Sequence, residues 1–182
     1  MAEFGVYVHV PFCAHRCDYC AFATYSDRDH LMASYVDAVR REIRGAVADG
    51  MPTATSVFFG GGTPSRLAAL DLVSILDEIP RAPEAEVTVE CNPEDASLER
   101  LTMYRHGGVT RMSYGIQSTQ DHVVRELGRR HGTMSHLAVS EATAAAGFPT
   151  WNMDLIVGAR GETLADVTAT VRDILDLPFP DR

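Results

Sequence analysis

Short β-branched or aromatic runs alternate along the chain with stretches whose apolar residues recur every three to four positions. The first run, Val6-Tyr7-Val8-His9-Val10, reads as a strand. A helical pattern follows near Leu31 to Val47, where Leu31, Tyr35, Val39 and Ile43 fall on one face. Ser56 to Phe59 reads as a second strand before a helix over Ala68 to Ile79, and Glu86 to Glu90 as a third before a short helix from Leu98 to Tyr104. Arg111 to Tyr114 gives a fourth strand. A polar helix from Gln120 to Leu127 and an alanine-rich one from Ser135 to Ala146 come next, the latter ended by Gly147 as a C′ residue. Trp151 to Val157 is the fifth strand. Thr163-Leu164-Ala165-Asp166 then opens a helix as a capping box, and Pro178 and Pro180 stop it after about Leu177.

Five consecutive βα units predict an α/β fold with parallel strands, either an open doubly wound sheet or a barrel. In both, the loops after the strand C-termini build the site. Cys13 to Cys20 follow the first strand and Gly60-Gly61-Gly62-Thr63-Pro64 the second. Glu90-Cys91-Asn92-Pro93 end the third, and Gln117 lies just past the fourth. Polar residues converging from several strand ends predict one pocket. No repeat, low-complexity segment or flexible linker divides the chain.

Length and composition then bound the picture. The 182 residues, 46% hydrophobic, supply the core of about one domain. The start of the chain lacks the basic, apolar and small-residue zones of a signal peptide, and no apolar run approaches the roughly 20 residues of a membrane span, so a cytoplasmic protein is expected. The net charge of −9 is dispersed, and the one dense basic spot, Arg129-Arg130-His131, is too small for a nucleic-acid footprint. In a reducing compartment the four cysteines point to metal or cluster ligation instead of disulfides.

Cys13, Cys17 and Cys20 form a CxxxCxxC loop, which gathers three soft thiolates and would leave one iron of a [4Fe-4S] cluster open. A zinc site completed by His9 or His15 is the alternative, although zinc motifs usually pair CxxC with a second distant pair. Cys91 reads as a small buried hydrophobe, and Tyr19 and Phe22 as shields of the loop or simple packing. The glycine turn lets a small ligand reach the backbone, or is only a turn; it has neither phosphate-loop nor dinucleotide spacing. Asp154 sits in an apolar strand, where a carboxylate without a partner is costly. His9, also in an apolar strand, reads as a satisfied histidine.

These residues resemble the radical S-adenosylmethionine superfamily, and within it the family of oxygen-independent coproporphyrinogen III oxidase and the related heme chaperone. The likeness runs through Tyr7-Val8-His9-Val10-Pro11-Phe12-Cys13, the cysteine loop, Phe59 to Ser65, Glu90 to Pro93, Ser113 to Ser118, Leu127 to Arg129 and Asn152 to Gly158. It implies a partial (β/α) barrel with about five of the usual six βα units. It also implies that Cys13, Cys17 and Cys20 hold the cluster, and that Tyr7, Tyr19, Gly61, Gly62, Thr63, Glu90, Gln117, Arg129 and Asp154 contact S-adenosylmethionine. One electron from such a cluster cleaves the sulfonium bond to methionine and a 5′-deoxyadenosyl radical.

The oxidase carries a further cysteine two residues past the third ligand, whereas Cys20 here is followed by Ala21-Phe22, as in the chaperone branch. The resemblance therefore implies heme trafficking to respiratory proteins, with heme as cargo and an electron donor such as flavodoxin or ferredoxin. Oxidative decarboxylation of coproporphyrinogen III in porphyrin biosynthesis is the alternative. Residues 1–182 are expected to form an incomplete radical SAM core domain, without the family's sixth unit and C-terminal domain.

Overall fold

A computed structural model describes residues 3–129 and 136–177. Five strands, β1 (Gly5–Val10), β2 (Ala54–Gly61), β3 (Arg81–Cys91), β4 (Arg111–Gln117) and β5 (Thr150–Leu155), form one parallel sheet in the order β1-β2-β3-β4-β5. A doubly wound sheet reverses its order at a switch point; this one never does. Successive right-handed crossovers then leave the helices on a single face and curve the sheet toward a barrel. The helices are α1 (Met32–Ala48), α2 (Ala69–Leu76), α3 (Leu98–His106), α4 (Asp121–Glu126), α5 (His136–Ala145) and α6 (Leu164–Leu175). Along that face α1 packs on α2, α2 on α3, and α3 on α5. The fold is thus the partial α/β barrel that the resemblance implies.

Side chains alternate across a strand, so register decides what each face of the sheet carries. Val8 pairs with Phe59, Phe59 with Val89, Val89 with Met112 and Met112 with Trp151. That row is buried across all five strands and belongs to the core that the helices cover. One residue further along, His9 pairs with Gly60, and Glu90 with Ser113, which pairs with Asn152. The second row faces the barrel interior. A one-residue slip in any strand would exchange the two rows.

Local signals bound several helices near where the sequence places them, although α2 stops at Leu76, three residues before the expected Ile79, and α6 at Leu175. Ser97 caps α3, its hydroxyl accepting the Arg100 N–H at 3.3 Å. Thr163 and Asp166 close a reciprocal capping box on α6. Gly147 takes a φ of +78° just after α5. β3 begins five residues earlier than the sequence predicts, because its pairing jumps from Ala54–Arg81 to Ser56–Glu86 and the irregularity accommodates Pro83. β5 ends at Leu155, two residues short of the predicted strand. The expected helix start at Ser135, the stops at Pro178 and Pro180, and the basic pair Arg130-His131 lie outside the described residues. No described helix is long and apolar enough to cross a membrane.

Candidate functional site

The cysteine loop has almost no regular structure of its own, so its shape comes from ties to the sheet. The Cys13 N–H donates to the Tyr25 carbonyl at 3.0 Å and the Tyr25 N–H to the Pro11 carbonyl at 2.8 Å, joining the two ends of the loop. Inside it, the Cys20 N–H donates to the Cys17 carbonyl at 3.1 Å, a tight turn, and the Arg16 guanidinium donates twice to the Cys20 carbonyl. His9 Nε2 lies 2.9 Å from the Ala23 carbonyl and Nδ1 lies 3.1 Å from the Tyr7 hydroxyl. A carbonyl only accepts, so neutral His9 carries its proton on Nε2 and accepts from Tyr7 on Nδ1. Both ring nitrogens are engaged, as the reading of a satisfied histidine requires.

The end of β2 zips against the start of this loop. Gly62 N–H donates to the Val10 carbonyl and Thr63 N–H to the Phe12 carbonyl, each at 2.8 Å. The buried Thr63 hydroxyl lies 3.7 Å from Cys13 Sγ. A Cβ on Gly62 would come within 3.0 Å of that sulfur and 2.7 Å of the Phe12 carbonyl. Gly61 holds a φ of +113°, and its N–H donates to Glu90 Oε2 at 3.2 Å. Both glycines are therefore required for contact between strand and loop, beyond making a turn.

From the other side, Arg129 follows α4 and donates from Nε to the Tyr19 hydroxyl at 2.8 Å and from Nη1 to the Gly115 carbonyl. Gly115 leaves room for this: a Cβ there would meet both Arg129 Nη2 and Gln117 Nε2 at 2.8 Å. Gln117 is buried and takes a φ of +69°, the only positive φ of a non-glycine residue among the described residues. Asp154 accepts from the Ser113 hydroxyl at 3.1 Å and from Asn152 Nδ2 at 2.7 Å. The sequence calls for a ligand or partner at this carboxylate, and Ser113 and Asn152 are such partners; the residue is exposed, however, where an apolar strand suggested burial, because its side chain lines the open cavity.

These groups line one cavity of about 280 Å³. Around it stand Cys13, Cys17, Tyr19, Cys20, Gly61, Gly62, Thr63, Glu90, Gln117, Arg129 and Asp154. Eleven of the twelve residues singled out from the sequence are so united. Tyr7 is not: it lies on the inner face of β1, 58% exposed, stacked on Phe58 and bonded to His9. Tyr19 and Phe22 both line the cavity while remaining solvent-accessible at 40% and 63%. Ser113 and Gly115 also line it and were missed, although strict alternation from Arg111 to Gln117 puts them on one face with Gln117. Asn92, in the turn after β3, lines it as well, and its Nδ2 donates to the Thr63 hydroxyl at 3.4 Å.

Burial pushes the Glu90 carboxyl above the usual carboxylate range; the Gly61 N–H opposes this and the nearby Asp154 charge adds to it. Burial also raises the Cys17 thiol, against the pull of the Arg129 guanidinium and the Tyr19 hydroxyl. Cys91 is buried in the core, its thiol 3.2 Å from the Asn92 carbonyl and its pKa driven up by burial. That is the small buried hydrophobe the sequence predicts, although Cys91 also borders the cavity wall beside the loop cysteines. Among the described residues no three His, Cys, Asp or Glu side chains are grouped closely enough for a single metal ion. Three thiols around an open cavity are a donor set of another kind.

The Radical SAM superfamily model matches residues 7–174. The heme chaperone HemW of Mycobacterium tuberculosis is 40% identical over 176 residues, which cover 92% of this chain and 45% of that protein. HemW of Bacillus subtilis is 33% identical over 179 residues, covering 95% and 47%. In a solved structure, coproporphyrinogen III oxidase (HemN) from Escherichia coli, described as a radical SAM enzyme, superposes with a TM-score of 0.86 at 28% identity, covering 98% of this chain and 42% of that one. The chain spans less than half the length of these relatives. With five βα units in barrel order and a family match across nearly all of them, the chain belongs to the radical SAM superfamily.

Proposed function

We propose that residues 1–182 are the part of a heme chaperone that binds a [4Fe-4S] cluster and S-adenosylmethionine, in a protein that passes heme to respiratory proteins. The observation that carries this is the convergence of Cys13, Cys17 and Cys20 with Glu90, Gln117, Arg129 and Asp154 on one cavity. The residues fit a cluster: a polynuclear centre brings its own irons and sulfides and spreads its thiolates wider than one ion does. Gly62 leaves beside Cys13 Sγ a space that a side chain would fill. When bound, the cluster supplies an electron from flavodoxin or ferredoxin for cleaving the sulfonium.

The chain's own residues have separable tasks in this reading. Cys13, Cys17 and Cys20 ligate, and the Thr63 hydroxyl supports Cys13. Glu90 and Asp154 offer carboxylates to the amino and hydroxyl groups of S-adenosylmethionine. Gln117 offers an amide, and Arg129 orients Tyr19 over the loop. Gly61, Gly62 and Thr63 let the ligand lie along backbone. Tyr7 borders this site through its bond to His9 and through Glu90, whose charge adds to the burial that raises its hydroxyl.

Relatives named heme chaperones and the Ala21-Phe22 pair favour trafficking; the superposition on coproporphyrinogen III oxidase keeps oxidative decarboxylation as the second reading. The test is anaerobic reconstitution with iron and sulfide, followed by metal analysis and EPR with and without S-adenosylmethionine. A cluster signal that shifts with S-adenosylmethionine is expected; retained zinc and no such signal overturn the reading. Incubation with heme should give a stable heme complex, and release of decarboxylated product from coproporphyrinogen III would replace the chaperone by the oxidase.

A further inference from the structure

Gln117 is held in a conformation its residue type avoids. The Ser118 N–H donates to the Ile116 carbonyl at 2.9 Å, and with a φ of +69° at Gln117 this closes a γ-turn of the rare, strained hand. A positive φ at a non-glycine residue persists only where its surroundings over-determine it. The turn directs the side chain of buried Gln117 to the cavity it lines.

Two elements supply the restraint. On the β5 side, the Ile156 N–H donates to the Gln117 carbonyl at 3.0 Å, where the pairing of β4 with β5 shifts register. From α6 comes a denser set of bonds. Buried Thr170 places Oγ1 3.1 Å from the buried Ser118 hydroxyl and accepts the Thr119 N–H at 3.3 Å. One turn further along the helix, Asp173 Oδ2 accepts the Thr119 hydroxyl at 2.5 Å. The Gln120 N–H donates to the Ser118 hydroxyl at 3.1 Å, and the Gln120 side chain donates to Thr119 Oγ1 at 2.9 Å. Each hydroxyl in the set is thus satisfied by the segment just after the γ-turn or by α6.

We propose that Thr170 and Asp173 are positioning residues: α6 clamps residues 118–120 and thereby holds Gln117 in its γ-turn with the amide turned into the cavity. Apolar packing alone would seat α6 without three hydroxyls and a carboxylate meeting on one short loop. Neither residue lines the cavity, so both act through Gln117. The claim rests on the reading that the cavity takes S-adenosylmethionine.

The test uses the reconstituted protein with Thr170→Val, Thr170→Ser, Gln117→Gly and the double variant Gln117→Gly/Thr170→Val. Loss of the clamp should weaken S-adenosylmethionine binding about tenfold in Thr170→Val, the size of one hydrogen-bond contribution, with iron content unchanged. Thr170→Ser should restore it. In the Gln117→Gly background, Thr170→Val should add less than about twofold, because the two changes act on one turn. Wild-type affinity in Thr170→Val, or the same tenfold loss with Gln117 already removed, overturns the proposal. A ligand-free arm separates it from the cofactor reading. Hydrogen exchange at the Ser118 and Thr119 amides should quicken about tenfold in Thr170→Val and recover in Thr170→Ser. Unchanged exchange overturns the clamp, whereas a wild-type cluster blind to S-adenosylmethionine overturns the cofactor reading and leaves exchange to judge the clamp.

Discussion

Replacing Gly61 by alanine tests whether strand β2 and the cysteine loop are coupled as the geometry requires. A Cβ at residue 61 would lie 2.5 Å from His9 Nδ1 and 2.6 Å from its Cε1. The ring cannot swing aside freely, since Nε2 holds Ala23 in the return limb of the loop and Nδ1 holds Tyr7. Alanine at a φ of +113° costs about 1–3 kcal/mol of backbone strain. Losing one of the His9 hydrogen bonds adds about 0.5–1.5 kcal/mol. The expected destabilisation is roughly 2–4 kcal/mol, which for a domain of this size lowers Tm by on the order of 5–15 °C. Gly45 provides the contrast. It lies within α1 with nothing within 4 Å of a Cβ, so Gly45→Ala should stabilise by about 0.5–1 kcal/mol. Urea unfolding under anaerobic, reducing conditions measures both. A Gly61→Ala variant within about 0.5 kcal/mol of wild type would refute the coupling.

Four further substitutions probe the site and a helix cap. Glu90→Gln should raise Tm at neutral pH and lose that gain in acid. A carboxyl whose folded pKa is raised contributes stability that is complete below its unfolded pKa and lost as pH rises through the folded pKa; thermal melts across that range check the sign. If the loop holds the proposed cluster, Cys17→Ala should lose iron after reconstitution, while Cys91→Ala should keep it and lose about 1 kcal/mol of stability, read by iron analysis beside urea unfolding. Ser97→Ala should cost about 1 kcal/mol through the lost α3 cap, and equal unfolding midpoints would show that the cap contributes nothing.

The five βα units, the capping box at Thr163 and the cysteine loop are all legible in the sequence, because each depends on neighbours in the chain. Strand order is not. The same hydrophobic runs suit a doubly wound sheet, and only pairing between distant strands selects the sequential order. Asp154 misleads for a related reason: its chain neighbours are apolar, but the pairing of β5 with β4 sets it beside Ser113 on the wall of an open cavity. The left-handed Gln117 carries no signal at all, since glutamine is no turn former and its restraint comes from Thr170 and Asp173, more than fifty residues away. Arg129 and Tyr19 meet across 110 residues, which no local pattern announces. Ser113 and Gly115 were legible through period-two alternation, once β4 is extended to Gln117.

A common cause ties stability to the site. The loop that carries Cys13, Cys17 and Cys20 buries little apolar surface, and its geometry is imposed by tethers from three elements. His9 of β1 holds Ala23, the residues ending β2 hold Val10 and Phe12, and Arg129 after α4 holds Tyr19. Every tether leaves a strand end or crossover whose direction is fixed by the apolar row from Val8 to Trp151. Register thus does two jobs at once: it gives the helices an apolar surface and turns Glu90 and Ser113 toward the cavity. The cysteine spacing supplies the donors, but the sheet decides whether they converge. Substitutions in the buried row should therefore disturb the thiol geometry even where they lie far from any thiol, and the loop should open at lower free energy than the strands that anchor it.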